Sequence, residues 1–304
     1  MRTTLLIAAL VMGGCGVSEA QLDETAGDVT SEEGELGTSS RTYVVARRDY
    51  RKCAFPMCSG WFIHDVNRAE LREVYVPRFD FSASNLHTDE QQQLVKSAPD
   101  NEVVLYGKLG VLKNGYRDFM VTTAWRGMPG VKFTEGSDTF FRVAQVNIQC
   151  FAAPCATMQT TRLHSTSKTY FHDLSVERAS MPNVDQNWMT FRITDKDALV
   201  AGKFVDGAQV GAGREKVLDA AQVFVKLPDM TQSCGRTSAP LCSPSKVNTF
   251  VRDENRCVMP AGCVTPGACA AVVPACAEGY SLVSWTGGSR ACTQHVCDPS
   301  WLLE

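Results

Sequence analysis

Cysteine has the most chemistry to offer in this chain, which contains 13 of them. A thiolate binds metal, attacks electrophiles or exchanges with a disulfide, whereas a paired cysteine only crosslinks. Cys53 and Cys58, and likewise Cys150 and Cys155, are separated by four residues, with Pro56 and Pro154 inside the loops. That spacing suits a metal knuckle, a redox couple or a local disulfide. Zinc wants about four Cys, His, Asp or Glu ligands, yet His64 and His87 fall opposite Thr161 and Pro182 in the repeat described below. Neither loop has the Cys-x-x-Cys spacing of a thioredoxin-type centre. The reading is a disulfide clamp at each loop, with no metal and no cofactor. Cys234, Cys242, Cys257, Cys263, Cys269, Cys276, Cys292 and Cys297 crowd residues 234–304, a density expected of a small module that needs crosslinks to fold. Setting Cys15 aside, twelve cysteines remain, enough for six bridges. The pairing within the tail is not readable from spacing.

Few other residues suggest chemistry. Arg47, Arg48, Arg51 and Lys52 form a basic cluster before the first cysteine loop; it suits an acidic partner or a surface glycan, or is simply the exposed half of an amphipathic strand. His64, His87, His164, His172 and His295 lie scattered without ligand-like spacing. Ser165 with Lys168, and Ser243 with Lys246, match a serine–lysine spacing but lack companion motifs. Asp80, Asp100, Glu135 and Asp138 form no acid–base couple. No Walker loop, HExxH, GxSxG or Rossmann glycine pattern occurs. Tyr280, Trp285 and Trp301 are expected to pack over the tail disulfides. The chain reads as a non-enzyme, a hydrolase being the minor alternative.

The elements that must position these residues come from a duplication. YVVARRDYRKCAFPMC from Tyr43 aligns with FFRVAQVNIQCFAAPC from Phe140, and VVLYGKL from Val103 aligns with LVAGKF from Leu199, placing Gly107 on Gly202. TTAWRGMPG from Thr122 aligns roughly with AAQVFVKLP from Ala220. The copies cover 41–135 and 138–230. Strands are predicted in the first copy at 43–50, 60–66, 73–81, 102–109 and 119–125, with a helix over 88–98 that has Thr88 as N-cap and Pro99 as its stop. The second copy places Val184 to Ile193 at the helix position. Three strands, a helix and two strands is the order of an OB-like barrel, and a curved antiparallel sheet gives the same order. The fold class is thus mainly β with short helices: two tandem β domains and a disulfide-rich module over 234–304.

Arg2, the apolar run Leu5 to Met12 and Met12-Gly13-Gly14-Cys15 read as an export signal over 1–14 ending in a lipobox, with Cys15 acylated. Cleavage after Ala20 is the rival. Gly16 after the cysteine points to the outer membrane, with a periplasmic or secreted soluble protein as the alternative. Residues 15–40 are acidic and Gly/Ser/Thr-rich, a tether. A net charge of -3 and a pI near 6.0 disfavour nucleic acid. The expected partners are the membrane, through the lipid, and an unknown envelope or extracellular protein or glycan.

The lipobox, the KCAFPMC and QCFAAPC loops and the CAEGYSLVSW and CDPSWL segments of the tail resemble secreted or lipid-anchored proteins of myxobacterial type whose shared domain has no assigned function. The resemblance implies export and disulfides and supplies no catalytic residue. The tail is also broadly similar to small inhibitor modules such as antistasin-like domains. The expected function is a lipid-anchored envelope protein serving as a binding or structural module, the alternative being a secreted protease inhibitor that uses the tail.

Overall fold

The computed structural model describes residues 40–302, apart from 69–72, 131–132, 135, 147, 152, 180–182, 230–233, 236, 270–271 and 288–289. Cys15, the tether up to residue 39 and Glu135 lie outside the described residues.

The duplication sets the architecture. The first copy runs β1 (Thr42–Arg48), β2 (Trp61–Asp65), β3 (Val74–Val76), β4 (Phe79–Asp80), α1 (Thr88–Lys96), β5 (Val103–Leu109) and β6 (Phe119–Gly127). The second repeats the series element for element: β7 (Thr139–Gln145), β8 (Met158–Arg162), β9 (Lys168–Phe171), β10 (Asp173–Ser175), α2 (Gln186–Asp195), β11 (Leu199–Val210) and β12 (Gly213–Leu227). In each copy the pairings close a ring. β1 pairs with β2 and β5, β2 with β3, and β5 with β6. Beyond Pro77, which cannot donate to a ladder, β4 pairs in parallel with β6 and completes the cycle. In the second copy β10 closes on β12 in the same parallel sense. This is the OB-like order expected from the sequence.

Two details show how closely the copies agree. The ladder slips between Tyr106 and Gly107, and again between Ala201 and Gly202. A Cβ at Gly107 would lie 2.1 Å from the Met120 carbonyl oxygen, and one at Gly202 would lie 2.5 Å from that of Asp219, so only glycine fits these bulges. The pairings also equate Ala124 with Val223, since Leu105 opposes the first and Val200 the second. The alignment of Thr122 with Ala220 is therefore one residue out of step, enough to exchange the two faces of the strand.

The copies share one twelve-stranded sheet, because the end of β6 pairs antiparallel with the end of β12, Ala124 opposite Leu227 and Gly127 opposite Phe224. Strand alternation then sorts the side chains. Val44, Ala46, Ile63, Leu105 and Val121 belong to one buried cluster with Phe141, Val143, Val200, Leu218 and Val223 of the second copy. From the opposite face Val45, Val104 and Trp125 pack with Phe140, Leu199, Ala201 and Phe224, joining the copies. Their turns also interlock. Asn67, at φ +59°, donates to Phe140 O at 3.0 Å, and His164, at φ +65°, places Nε2 3.3 Å from Tyr43 O. Tyr43 and Phe140 are repeat equivalents, so each copy reaches across to the same carbonyl of its sister.

α1 begins one residue earlier than expected: its N-cap is His87 rather than Thr88, and Glu90 Oε2 accepts from the His87 N–H at 2.8 Å. Leu94 carries its buried face. α2 is capped by Asp185, whose Oδ1 accepts from Asn187 N–H at 3.1 Å and Trp188 N–H at 3.3 Å, and it buries Trp188, Met189 and Ile193.

The tail is a second duplication. Hairpin β13 (Val247–Arg252) with β14 (Val258–Val264) and hairpin β15 (Tyr280–Trp285) with β16 (Gln294–Pro299) are each laced by two crossed bridges. Cys234–Cys257 and Cys269–Cys292 both span 23 residues, while Cys242–Cys263 and Cys276–Cys297 both span 21. A loop of about 20 residues closed in this way gains about 3 kcal/mol in the chain-entropy account. The clamps Cys53–Cys58 and Cys150–Cys155 are formed as expected. The second hairpin docks on both barrels: Cys297 N–H donates to Asn183 O at 2.8 Å, the Tyr280 hydroxyl donates to Pro129 O at 3.2 Å, and Trp301 is buried in the main core.

Candidate binding face

The inward residues of β1, β2 and β3 are Ala46, Ile63 and Val76, so their neighbours face outward. Arg47 stands opposite Phe62, and Phe62 opposite Tyr75, giving a row of three side chains across three strands. The Arg47 guanidinium lies 4.7 Å above the Phe62 ring, and the Phe62 and Tyr75 rings meet edge-on at 5.5 Å. The loop between β1 and β2 adds Arg51, 5.1 Å above Phe62 and 5.6 Å above Tyr75. The connection from β5 to β6, residues 110–118, adds Tyr116, 6.1 Å from Tyr75. All three aromatic rings are half-buried. The cystine loop is tied to the row through the Tyr75 hydroxyl, which donates to Pro56 O at 2.9 Å.

Carboxylates orient both arginines. Arg51 is held by Asp49 through Nε at 2.9 Å and Nη2 at 2.9 Å, and Arg47 by Glu73 at 2.6 Å. The hydrogen bonds from Arg51 hold the Asp49 carboxyl below the usual carboxylate range. Donating to Glu73 and Asp49 raises Arg47 and Arg51, and burial pushes the Tyr75 phenol up. Near neutral pH the face therefore presents charged, carboxylate-paired guanidinia alternating with rings and a protonated phenol. Such a surface stacks flat groups and offers directional hydrogen bonds.

Of the basic residues singled out by sequence, Arg47 and Arg51 belong to this face. Arg48 turns toward α1, donating to Val95 O at 3.0 Å, and Lys52 is exposed on the cystine loop. Phe62, Tyr75 and Tyr116 were not signalled as site residues, although alternation within WFIHD and VYV marks the first two as outward once the strands are placed. In the second copy the same row is Ala144, Gln159 and Tyr170.

Thr42, Asp65 and His164 also meet, at the junction of the copies. The Thr42 hydroxyl donates to Asp65 Oδ1, and His164 Nε2 lies 3.5 Å from that hydroxyl and 3.3 Å from Tyr43 O. With its proton directed to the carboxylate and its side chain buried, Thr42 is placed as a structural tie. Ser165 Oγ accepts from Ser167 N–H at 3.0 Å, and Ser243 Oγ lies 3.3 Å from Ser245 Oγ. Among the described residues no cluster of three His, Cys, Asp or Glu side chains has metal-binding geometry. Where the tail meets α2, Arg252 binds Asp298 in a fork at 2.8 and 3.0 Å, with Asp185 at 3.6 Å and Arg256 at 3.8 Å from the same pair. Burial raises the Asp185 carboxyl.

The model of a family described as a domain of unknown function, DUF6748, matches residues 42–230, which is both barrels together. The chain belongs to the DUF6748 family. It is also 25% identical over 261 residues to an uncharacterised protein of Dictyostelium discoideum, covering 83% of this chain and 84% of that one. No solved structure matches. The disulfides of this DUF6748 chain accord with an exported protein, and no helix among the described residues is long and apolar enough to cross a membrane.

Proposed function

We propose that the protein is an exported, non-enzymatic binding module, anchored through an acylated Cys15 in the outer membrane, and that its ligand is a glycan held on the Arg47–Phe62–Tyr75 face. The observation that carries this reading is the row itself, completed by Arg51 and Tyr116 and replaced by Ala144 and Gln159 in the second copy. Sugar rings offer apolar C–H faces to aromatic rings, and their hydroxyls suit arginines already neutralised by Asp49 and Glu73. A polyanion gains less from such compensated charges. Strands 2 and 3 and the adjoining loops are also where OB-like barrels take oligosaccharides. A glycan array followed by calorimetry tests the reading: Phe62→Ala is expected to weaken binding at least about tenfold with the fold intact. An array with no hit, or a variant that binds like the parent, overturns it. The anchor is tested by the intact mass of natively extracted protein, where a start at Gln21 would replace it by soluble secretion.

The protease-inhibitor alternative draws on Leu241, fully exposed beside the Cys242–Cys263 bridge, since a preorganised loop binds at lower entropic cost. Residual activity of a protease panel at high molar excess of the protein decides it.

A further inference from the structure

The exposed apolar side chains of the first copy lie on or beside two of its loops. Tyr50 (70% exposed), Phe55 (62%) and Met57 (54%) lie on or beside the cystine loop, and Val111 (77%) and Leu112 (55%) on the β5–β6 connection. The two loops are neighbours, because Tyr75 bonds Pro56 O on one and packs against Tyr116 of the other. Lys52 and Lys113 stand exposed on the same loops, with no ion-pair partner among the described residues. Of the acids nearby, Asp49 engages Arg51, Glu73 engages Arg47 and Asp118 engages Arg78, while Asp80, which accepts from Ser82 N–H at 2.9 Å, also feels the charge of Lys113. The second copy offers Phe151 and Ile148 on its cystine loop, but its hairpin turns tightly through Gly211 and Ala212.

We propose that these two loops form a membrane-contacting edge: Phe55, Met57, Val111 and Leu112 enter the headgroup–acyl boundary of an anionic leaflet while Lys52 and Lys113 meet its phosphates. The motif combines apolar tips with adjacent exposed cations that have no close ion pair among the described residues, and a leaflet has the complementary order, phosphate outside hydrocarbon. The Cys53–Cys58 bridge limits the freedom the loop would otherwise lose on insertion. The lysines choose the partner, since an apolar patch alone would serve any hydrophobic surface. This edge uses side chains distinct from the glycan face, so either assignment stands without the other.

The test is sedimentation of the chain from Gly16 onward, so that neither the export signal nor an acyl group contributes, with phosphatidylcholine vesicles with and without phosphatidylglycerol. Binding is expected with phosphatidylglycerol, falling at least about tenfold in the Phe55→Ser, Met57→Ser double variant and several-fold in Lys52→Gln with Lys113→Gln or at high salt. Phe151→Ser and Phe62→Ala retain full binding, and circular dichroism confirms the fold of each variant. Failure to sediment, binding independent of phosphatidylglycerol, or a Phe55 and Met57 double variant that binds like the parent overturns the proposal.

Discussion

The two barrels solve one folding problem and diverge where folding makes no demand. Both keep the bulge glycine, the cystine clamp, the parallel closing pair and the left-handed turn that reaches into the other copy. Each of these is fixed by backbone geometry or burial, so drift there costs stability. The outer row is under no such constraint, and it reads Arg47, Phe62, Tyr75 in one copy and Ala144, Gln159, Tyr170 in the other. Their connections differ as well, residues 110–118 against a tight turn at 211–212. Duplication has left a row of arginine and aromatic side chains on one barrel and a plainer row on the other.

The largest expected effects come from the tail, which treats the copies differently. Against α2 of the second copy it presents ions: Asp298→Ala removes the fork that holds Arg252, leaving Asp185 at 3.6 Å, and the carboxylate beside Arg256, and should cost about 3–5 kcal/mol, read as a lower urea midpoint. Toward the first copy it presents an aromatic ring, Trp301, with the Arg126 guanidinium 5.4 Å above it, an arginine whose pKa burial pulls down to about 10. Trp301→Ala should cost a similar about 3–5 kcal/mol but respond little to salt. A smaller test asks whether the copies are equivalent inside: Gly107→Ala and Gly202→Ala should each cost about 2 kcal/mol or more, and a loss in one copy alone would break the symmetry. Outside, Phe62→Ala should weaken ligand binding about tenfold while Gln159→Ala leaves it unchanged.

The smallest effect sharpens the comparison at the interlocking turns, where Asn67 and His164 occupy equivalent places and only the histidine titrates. Burial depresses the His164 pKa, outweighing the opposing field of Asp65. The unfolded chain therefore binds this proton more readily than the folded one. The stabilisation is complete above the ordinary histidine value and falls away as pH drops below it, at no more than about 1.4 kcal/mol per pH unit. His164→Asn, which installs the residue found in the first copy, should flatten this part of the stability profile between pH 7.5 and 5, about the ordinary histidine value of 6.5. An unchanged profile would assign the slope to other groups.

Much of the fold was legible because the barrels follow simple periodicities. Clusters of Val, Ile, Phe, Tyr and Thr located the first copy's strands, although the single strand expected over 73–81 is broken at Pro77 into β3 and β4, and Pro99 after a run opened by Asp89 and Glu90 marked its helix. The third repeat block aligns one residue out of step because the chain between the matched glycine and its partner strand differs in length between the copies, Gly107 opposing Val121 but Gly202 opposing Ala220, and no motif marks where the extra residues lie. The tail duplication was written in its cysteine spacings but in little else, since Asn248 and Leu282, or Arg252 and Thr286, share no chemistry. The candidate face was half legible. Charge drew attention to Arg47 and Arg51, but Phe62 and Tyr75 read as ordinary strand residues until Ile63 and Val76 were seen to take the inward positions.

The pairing of β6 with β12 has a consequence for how such a molecule is made and inherited. Each of these strands divides its second edge: the earlier part closes its own barrel on β4 or β10, and the last residues, Ala124 to Gly127 and Phe224 to Leu227, find their partners only in the sister copy. A single copy made alone would display that open strand end together with the aromatic cluster behind it, a template for association with any other chain. The open end of the first barrel is therefore covered only once the ribosome has finished the second.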